Sequence, residues 1–141
     1  MEGYAVHYTI AICDDDPAAS RYALSLAQHW AAERGHHLSC EEYSSAEGYL
    51  FAHPNGGEPD ILLLDIEMGG MNGVDLARDL RERGFCGQLV FITGYSDYIA
   101  QGYEVEALHY LMKPLSSAHL ETVLDRAVRH LAQSGRTLLL E

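Results

Sequence analysis

The chain has 141 residues, which is enough for one domain with a single hydrophobic core. Its 9 basic and 21 acidic residues give a net charge of −12, which argues against direct binding to nucleic acid, and a hydrophobic content of 48% excludes a disordered chain. No apolar stretch approaches the roughly 20 residues that span a bilayer, and the first residues lack a signal-peptide pattern, so we expect no membrane association.

The cysteines and histidines give no sign of a metal site or a disulfide framework. Cys13, Cys40 and Cys86 are odd in number and lack metal-ligand spacing, and two of them fall within predicted strands. This pattern favours reduced thiols in a cytoplasmic protein. The eight histidines are scattered, with no pairing typical of a metal site.

The first half of the chain alternates short apolar runs with segments of helical character. Asp16 followed by Pro17 is typical of a helix start, because aspartate caps the first amides and proline fits the first helical position. Gly35 suits the end of that helix, and the turn-forming residues 54–57 end the next one. The predicted elements of this half are a strand at 8–13, a helix at 17–33, a strand at 37–43 and a short helix at 45–53.

The second half repeats the same alternation. The uninterrupted apolar run at 61–64 is typical of a strand buried on both faces of a parallel sheet. Apolar residues spaced three and four apart from Leu120 to Leu131 give the last helix one apolar face. The predicted elements are strands at 61–64, 88–93 and 107–112, and helices at 73–83, 96–102 and 116–132.

Strand–helix alternation along the whole chain predicts a parallel sheet with right-handed crossovers and helices on both faces. Five strands in about 130 residues fit the flavodoxin-like (βα)5 three-layer sandwich, with strand order 2-1-3-4-5. We expect residues 1–134 to form this domain. Residues 135–141 are expected to be a linker or the stub of a following domain.

Polar residues follow the predicted strands where each one ends. Residues 14–16 are three consecutive aspartates after the first strand, Asp65 follows the third, Thr93 ends the fourth, and Lys113 follows the fifth. Lys113 is the only lysine in the sequence. Since the carboxyl ends of parallel strands share one edge, where such sheets place their ligands, we expect these side chains to converge.

This set of side chains suits cation-assisted phosphoryl chemistry. Converging carboxylates repel one another, and a hard divalent ion such as Mg²⁺ removes that conflict. Asp65 could then act as a carboxylate nucleophile that attacks a phosphoryl group. The Lys113 ammonium and the Thr93 hydroxyl could contact the phosphoryl oxygens. The Glu67 carbonyl could supply a third protein oxygen to the metal. Each residue alone has an ordinary structural interpretation, as a helix cap, a loop acid or a strand-end threonine. Their joint placement favours a site.

The sequence resembles the receiver domain of bacterial two-component response regulators over residues 8–132. The resemblance lies in four stretches, which are IAICDDDP at 10–17, LDIEM with GMNG at 64–73, FITGY at 91–95 and YLMKP at 110–114. Other stretches are similar to those of receivers that precede LytTR-type DNA-binding domains, namely CDDDP at 13–17, YSDYI at 95–99 and ALHYLMKP at 107–114.

The resemblance implies roles for individual residues. Asp65 would be the phosphoacceptor, and Asp14 and Asp15 would form the acidic Mg²⁺ pocket together with Asp65 and the backbone carbonyl of Glu67. The remaining roles are phosphoryl contacts by Thr93 and Lys113, a cis peptide between Lys113 and Pro114, and a switch aromatic at Tyr110 that moves with Thr93.

The resemblance also implies a signalling function. A sensor histidine kinase would phosphorylate the domain, which would control transcription through a DNA-binding domain outside this chain and would not itself be an enzyme. The surface of strand 4, helix 4 and strand 5 would respond. Its residues Tyr95, Tyr98, Ile99, Tyr103 and Val105 would suit a partner or a homodimer, or simply fill a half-buried face.

Three rivals and two departures qualify that expectation. An aspartyl phosphatase or phosphotransferase of the haloacid dehalogenase kind would carry a second aspartate where Glu67 stands. A nucleotide- or flavin-binding module would need a glycine-rich phosphate loop after the first strand. A receiver-like domain that is never phosphorylated would not need the acid, threonine and lysine set.

Two glycines depart from the usual pattern of the family. Gly69 and Gly94 replace a common proline and a common alanine, and they leave the lifetime of the phosphoryl group open.

Overall fold

The computed structural model describes residues 6–54 and 59–133 of the chain. Strands and helices alternate throughout these residues. In chain order they are β1 (His7–Cys13), α1 (Pro17–Arg34), β2 (His37–Tyr43), α2 (Ala46–Ala52), β3 (Ile61–Leu64), α3 (Gly73–Glu82), β4 (Gln88–Thr93), α4 (Ile99–Glu104), β5 (His109–Met112) and α5 (Ser117–Gln133).

The five strands form one parallel sheet in the order β2-β1-β3-β4-β5. Strand β1 lies inside the sheet and pairs with β2 on one side and β3 on the other, so that Cys13 lies opposite both Tyr43 and Leu64. The predicted flavodoxin-like architecture and strand order are therefore confirmed. The carboxyl ends of β1 and β3 lie side by side at the point where the strand order reverses, which is where such sheets bind ligands.

Each face of the sheet is covered by its own apolar cluster. Alternate side chains of a strand point to opposite faces, so Ile10 and Ile12 join the cluster under α1 and α5, while Ala11 and Cys13 join the one under α2 and α3. All four residues of β3 are completely buried, as an apolar run covered on both faces requires.

Helices α1 and α5 are joined by a polar contact at the edge of their apolar cluster. The indole nitrogen of the buried Trp30 donates to Asp125 Oδ1 at 2.9 Å. The Arg34 guanidinium donates to both oxygens of the same carboxylate, at 3.2 and 3.0 Å. This paired geometry fixes the two helices against each other and satisfies the only polar atom of the indole.

Most predicted elements match the structure to within about two residues, and the largest differences lie around α4. The helix predicted at 96–102 begins only at Ile99, because residues 94–98 form a turn and no side chain caps the helix at Tyr98. The strand predicted from 107 begins at His109, because the amide of Ala107 still donates to the carbonyl of Gly102 at the end of α4.

Three further expectations concern membrane-spanning helices, the cysteines and the C-terminal residues. Within the described residues, none of the helices combines the length and apolar character that crossing a bilayer demands. The three cysteines are free thiols, with Cys13 in β1 and Cys40 in β2, and burial raises the pKa of Cys13 to about 12. The expected linker or domain stub at 135–141 lies outside the described residues.

Candidate functional site at the carboxyl edge of the sheet

Backbone hydrogen bonds continue the sheet past the ends of its strands and position the site residues. The amide of Asp65 donates to the carbonyl of Cys13 at 2.9 Å, and the amide of Lys113 donates to the carbonyl of Thr93 at 2.8 Å. The amide of Asp14 donates to the carbonyl of Tyr43 at 3.0 Å. The predicted site residues therefore start from one rigid edge, as expected from the parallel sheet.

The side chain of Lys113 bridges two buried carboxylates. Its ammonium nitrogen lies 2.9 Å from Asp14 Oδ2 and 3.1 Å from Asp65 Oδ2. Asp14 is 4% exposed and Asp65 is 6% exposed, so both charges lie largely out of water. The predicted convergence of these three residues is thus present in the structure. The peptide bond between Lys113 and Pro114 is cis, as the resemblance implied.

Burial and pairing act on the titration of this cluster in opposite directions. Burial raises the pKa of Asp14, against the lowering effects of the Asp16 amide and of Lys113, and the nearby Asp65 charge raises it further. Burial of Lys113 acts to lower its pKa, but hydrogen bonds to Asp14 and Asp65 outweigh burial and raise the pKa above the ordinary lysine value. Lys113 therefore stays charged at neutral pH and balances one of the two buried carboxylates.

The acids of this edge have the chemistry of a divalent-cation site. Asp14, Asp15 and Asp65 each offer a carboxylate oxygen, and these oxygens lie within 4.8 Å of one another. Asp14 and Asp65 are buried while Asp15 is exposed at the mouth. These three carboxylates carry three negative charges when ionised, and Lys113 balances one of them. Hard, partly buried oxygen donors with two charges left to balance fit a divalent ion such as Mg²⁺. The expected pocket of Asp14 and Asp15 beside Asp65 is therefore compatible with the geometry.

A second group of ligand types lies elsewhere, between α1 and α5, but it is already engaged. Glu33 and Glu121 lie near His29, with possible ligand atoms within 4.8 Å of one another. The Arg34 guanidinium lies 3.5 Å from Glu33 and 3.8 Å from Glu121. Because this cation occupies the space between the two carboxylates, we assign the cluster to the solvent-exposed helix contact.

Thr93 supplies an unsatisfied polar atom at the end of β4. Its side chain is completely buried, and its Oγ1 has no hydrogen-bond partner among the described residues. A buried hydroxyl without a partner is costly, so its presence at a strand end calls for an explanation. Thr93 ends β4 and Asp65 follows the neighbouring β3, so the hydroxyl belongs to the same edge of the sheet as the acids.

The loop after Asp65 is held by contacts that the sequence pattern did not reveal. The Ile66 amide donates to Asp65 Oδ1 at 2.7 Å, which fixes the carboxylate, and the Met71 amide donates to Glu47 Oε2 at 2.9 Å. Asn72 accepts from the amide of Asp75 and so caps α3. The Asn72 cap could have been found, since asparagine precedes an amphipathic helix. The contact from Glu47 on α2 has no local signal.

Two tyrosine hydroxyls join the turn before α4 to its neighbours. Tyr110, on β5, donates to the backbone carbonyl of Tyr95, and its ring contacts Phe91. Tyr98 donates to Glu67 Oε2 at 2.8 Å. Tyr110 is half-buried. The expected switch aromatic is therefore hydrogen-bonded to the loop that follows Thr93.

The predicted aromatic surface needs one correction. Tyr95, Ile99 and Tyr103 are exposed, at 50%, 47% and 83%. Val105 does not belong to this surface, because it is only 2% exposed and packs in the apolar cluster under α2 and α3. The sequence could not show this, since Val105 ends a short helix whose own inward face is a glycine.

Known proteins share both the sequence and the fold of this chain. The response regulator receiver domain family matches residues 10–125. An uncharacterized response regulatory protein of Vibrio cholerae is 32% identical over 130 residues, which is 90% of this chain and 47% of that protein. The sensory transduction protein LytR of Streptococcus agalactiae is 30% identical over 125 residues, which is 88% of this chain and 49% of that protein.

A solved structure with a similar fold is the response regulatory domain of MrkE from Klebsiella pneumoniae, with a TM-score of 0.78 and 19% identity over 89% of this chain and 98% of that one. This chain spans about half the length of the curated relatives described above. The match to LytR confirms the resemblance to LytTR-type regulators. The strand order, the convergent acids and the family match lead to one conclusion, that this chain belongs to the response regulator receiver domain family of two-component signalling.

Proposed function

We propose that Asp65 accepts a phosphoryl group from a sensor histidine kinase and that the modified domain acts as a signalling switch. One observation carries the proposal. The Lys113 ammonium lies 2.9 Å from the buried carboxylate of Asp14 and 3.1 Å from that of Asp65. At the same edge of the sheet, the buried hydroxyl of Thr93 has no hydrogen-bond partner among the described residues. Such a combination of nucleophile, cation and free donor suits an incoming phosphoryl group.

In the proposed transfer, a carboxylate oxygen of Asp65 attacks the phosphorus of a phosphohistidine. The new oxygen–phosphorus bond forms while the phosphorus–nitrogen bond breaks, and the imidazole keeps the electron pair of the broken bond. Lys113 and the hydroxyl of Thr93 would contact the phosphoryl oxygens. Asp14, Asp15, Asp65 and the Glu67 carbonyl would hold Mg²⁺, which when bound supplies positive charge for the carboxylates and the phosphoryl oxygens.

The same residues support a mechanism for the switch. A phosphoryl group adds nearly two negative charges and strong acceptor oxygens at the end of β3. The Thr93 hydroxyl would turn toward them, and Tyr110 would give up its hydrogen bond to the Tyr95 carbonyl and rotate into the space that Thr93 leaves. The segment from β4 to β5 would then change its outer surface.

The proposed domain is a phosphoacceptor and not a turnover enzyme. A haloacid dehalogenase-type phosphatase is the alternative, but the family match does not favour it. That chemistry uses a second aspartate two residues after the nucleophile to protonate a leaving group. Glu67 holds this position, and its carboxylate accepts a hydrogen bond from Tyr98. Sustained turnover of a phosphoester by the chain would favour the alternative.

The wider partners are also proposals. We place the protein in the cytoplasm, with a sensor kinase as phosphodonor and a transcriptional output through a DNA-binding domain outside this chain. The acidic net charge of −12 supports an output that does not depend on DNA contacts by this domain. The exposed Tyr95, Ile99 and Tyr103 support a homodimer through β4, α4 and β5.

Labelling with a small phosphodonor tests the central proposal. Incubating the chain with radiolabelled acetyl phosphate and Mg²⁺ should label the wild type, and chelating the metal should abolish the label. Asp65→Asn should remain unlabelled while keeping the circular dichroism spectrum of the wild type. Asp75→Asn, which changes an exposed aspartate in the first turn of α3, is the matched control and should label normally. Undiminished label in Asp65→Asn would refute the assignment.

A further inference from the structure

A side-chain contact joins the loop after Asp65 to the start of α4. The Tyr98 hydroxyl donates to Glu67 Oε2 at 2.8 Å, across 31 positions of sequence. The hydrogen bond to the carboxylate, together with its charge, raises the pKa of Tyr98. This contact lies outside the chemistry described above, because neither the Glu67 carboxylate nor the Tyr98 hydroxyl takes part in phosphoryl transfer.

Tyr98 stands at the N-cap position of α4. Its backbone carbonyl accepts from the amide of Gly102 at 3.1 Å, which closes the first turn of the helix. Its ring is half-buried and packs against the apolar cluster under α2 and α3. Helix α4 has only six residues and a single buried one, Gly102, and no side chain in the described part of the chain caps it. A helix with so few internal restraints depends on tertiary contacts for its position.

Glu67 takes part in this contact and also in the proposed cation site. Its carboxylate binds Tyr98, while its backbone carbonyl receives no hydrogen bond from the described residues and is one of the four proposed protein ligands of the cation. The neighbouring Gly69 and Gly70 add conformational freedom to the same loop, and Gly70 has a positive φ of 79°. A side-chain anchor on Glu67 restricts the orientations that its carbonyl can take in this glycine-containing loop.

We propose that Tyr98 is a positioning residue for the divalent-cation site, acting through Glu67 to hold the Glu67 carbonyl toward the acidic pocket and thereby coupling cation binding to the start of α4. The inference rests on the proposed function, since it takes the Glu67 carbonyl as a ligand. It adds a direct connection between the cation and α4 that does not pass through Thr93 or Tyr110.

The coupling has a necessary consequence. If the Tyr98 contact raises the affinity for the cation, the cation must stabilise the Tyr98 contact by the same factor. Binding of Mg²⁺ alone, before any phosphoryl transfer, will therefore protect the first turn of α4. The amide of Gly102 reports this directly, because its hydrogen bond ends on the Tyr98 carbonyl.

The test is an NMR titration of the full chain with Mg²⁺, without a phosphodonor. Tyr98→Phe and Glu67→Ala should each bind Mg²⁺ roughly three- to tenfold more weakly than the wild type, the range expected for one lost hydrogen bond. Glu67→Gln keeps an acceptor oxygen and should recover most of the affinity. Tyr95→Phe, which alters a half-exposed tyrosine in the same turn, is the matched control and should bind like the wild type.

Two further measurements sharpen the result. The double variant Glu67→Ala with Tyr98→Phe should bind no more weakly than Glu67→Ala alone, because both changes remove the same contact. Hydrogen exchange of the Gly102 amide should slow when Mg²⁺ is added to the wild type, by about the same factor by which Tyr98→Phe weakens Mg²⁺ binding. In Tyr98→Phe the exchange rate should not respond to Mg²⁺.

The outcomes separate the inference from the proposed function. A wild-type chain that neither binds Mg²⁺ nor accepts a phosphoryl group would overturn both. A wild type that does both, with Tyr98→Phe binding Mg²⁺ equally well, would overturn only the role of Tyr98. Equal losses in Glu67→Gln and Glu67→Ala, with none in Tyr98→Phe, would mean that Glu67 acts through its charge and would likewise overturn that role.

Discussion

The ammonium nitrogen of Lys113 lies 3.1 Å from Oδ2 of Asp65, so the lysine already binds the carboxylate that we propose as phosphoacceptor. The same nitrogen lies 2.9 Å from Asp14. A divalent cation in the acidic pocket would use the same two carboxylates. Lys113 and the cation are therefore partial substitutes in balancing buried charge, and removing one should increase the dependence on the other.

We expect Lys113→Ala to unfold more easily and to depend more strongly on Mg²⁺. Removing the ammonium leaves two largely buried carboxylates without their shared partner, which should cost about 1–2 kcal/mol of unfolding free energy because Lys113 itself is partly exposed. Urea denaturation should show a larger stabilisation by Mg²⁺ in Lys113→Ala than in the wild type, because a cation that binds only the folded chain stabilises it. Labelling by acetyl phosphate should fall about tenfold or more, because the variant lacks the positive charge that would contact the phosphoryl oxygens.

Arg34→Ala provides the comparison, since it removes a cation far from the site, between α1 and α5. Its stabilisation by Mg²⁺ should equal that of the wild type. If Mg²⁺ stabilises Lys113→Ala no more than the wild type, the lysine and the cation do not share the carboxylates.

Gly73 is expected to be irreplaceable by alanine. A Cβ at this position would lie 2.1 Å from the backbone carbonyl oxygen of Asp65 and 3.1 Å from the Cα of Ile66. Alanine favours helices by about 1 kcal/mol over glycine, so helix propensity alone predicts stabilisation at this first position of α3. The clash is with backbone, which cannot rotate away, so we expect Gly73→Ala to lose about 2 kcal/mol or more and to displace Asp65.

Gly69→Ala is the matched control for this prediction. Apart from Gly69 and its two chain neighbours, no atom of the described residues lies within 4 Å of a Cβ built at Gly69, in the same loop, so the variant should unfold within about 0.5 kcal/mol of the wild type. Urea denaturation measures both free energies, and acetyl phosphate labelling reports the position of Asp65. A stable, normally labelled Gly73→Ala would show that the loop relaxes around the added methyl group.

Much of the fold and the site could be predicted because the relevant signals are local. Strands β2, β3 and β4 were predicted with their observed bounds, since each is an apolar or alternating run between clear turn residues. Asp14, Asp65, Thr93 and Lys113 could be predicted as neighbours because parallel strands bring their carboxyl ends to one edge.

The parts that sequence could not predict depend on contacts between distant segments. The Glu47 carboxylate binds the Met71 amide, and the Tyr98 hydroxyl binds Glu67, over 24 and 31 positions. No periodicity or motif encodes these contacts. The bounds of α4 were also wrong, because the helix has one buried residue and no cap, so its limits follow from tertiary contacts and not from its own pattern.

The pairing of Asp125 with Trp30 and Arg34 predicts a specific acid sensitivity. The hydrogen bond from Arg34 lowers the pKa of Asp125 below its ordinary value of 3.8, with a further contribution from Trp30. A lowered carboxyl pKa stabilises the folded chain above the unfolded pKa, and this contribution is lost as the pH falls through the folded pKa. At pH 7, Asp125→Asn should therefore be less stable than the wild type by about 1 kcal/mol or less, because the pair is partly exposed.

Urea denaturation at intervals from pH 7 to pH 3 measures this effect. The advantage of the wild type over Asp125→Asn should be constant down to about pH 4 and should shrink below it. Asparagine retains an acceptor oxygen for the indole, so the comparison isolates the charge. A difference that does not change with pH would show that the carboxylate charge contributes nothing to the contact between α1 and α5.

The exposed face of α4 and β5 predicts assembly that depends on phosphorylation. Tyr103 is 83% exposed and lines a groove of about 300 Å³ together with Ile99 and Tyr110. If this face forms the proposed homodimer, sedimentation of the chain treated with beryllofluoride and Mg²⁺ should show dimers that Tyr103→Ser weakens about tenfold or more, since a central aromatic anchor is lost. Phe51→Ser, which removes an 89% exposed aromatic side chain from α2, should dimerise like the wild type. Equal dimerisation by Tyr103→Ser and the wild type would place the interface on another surface.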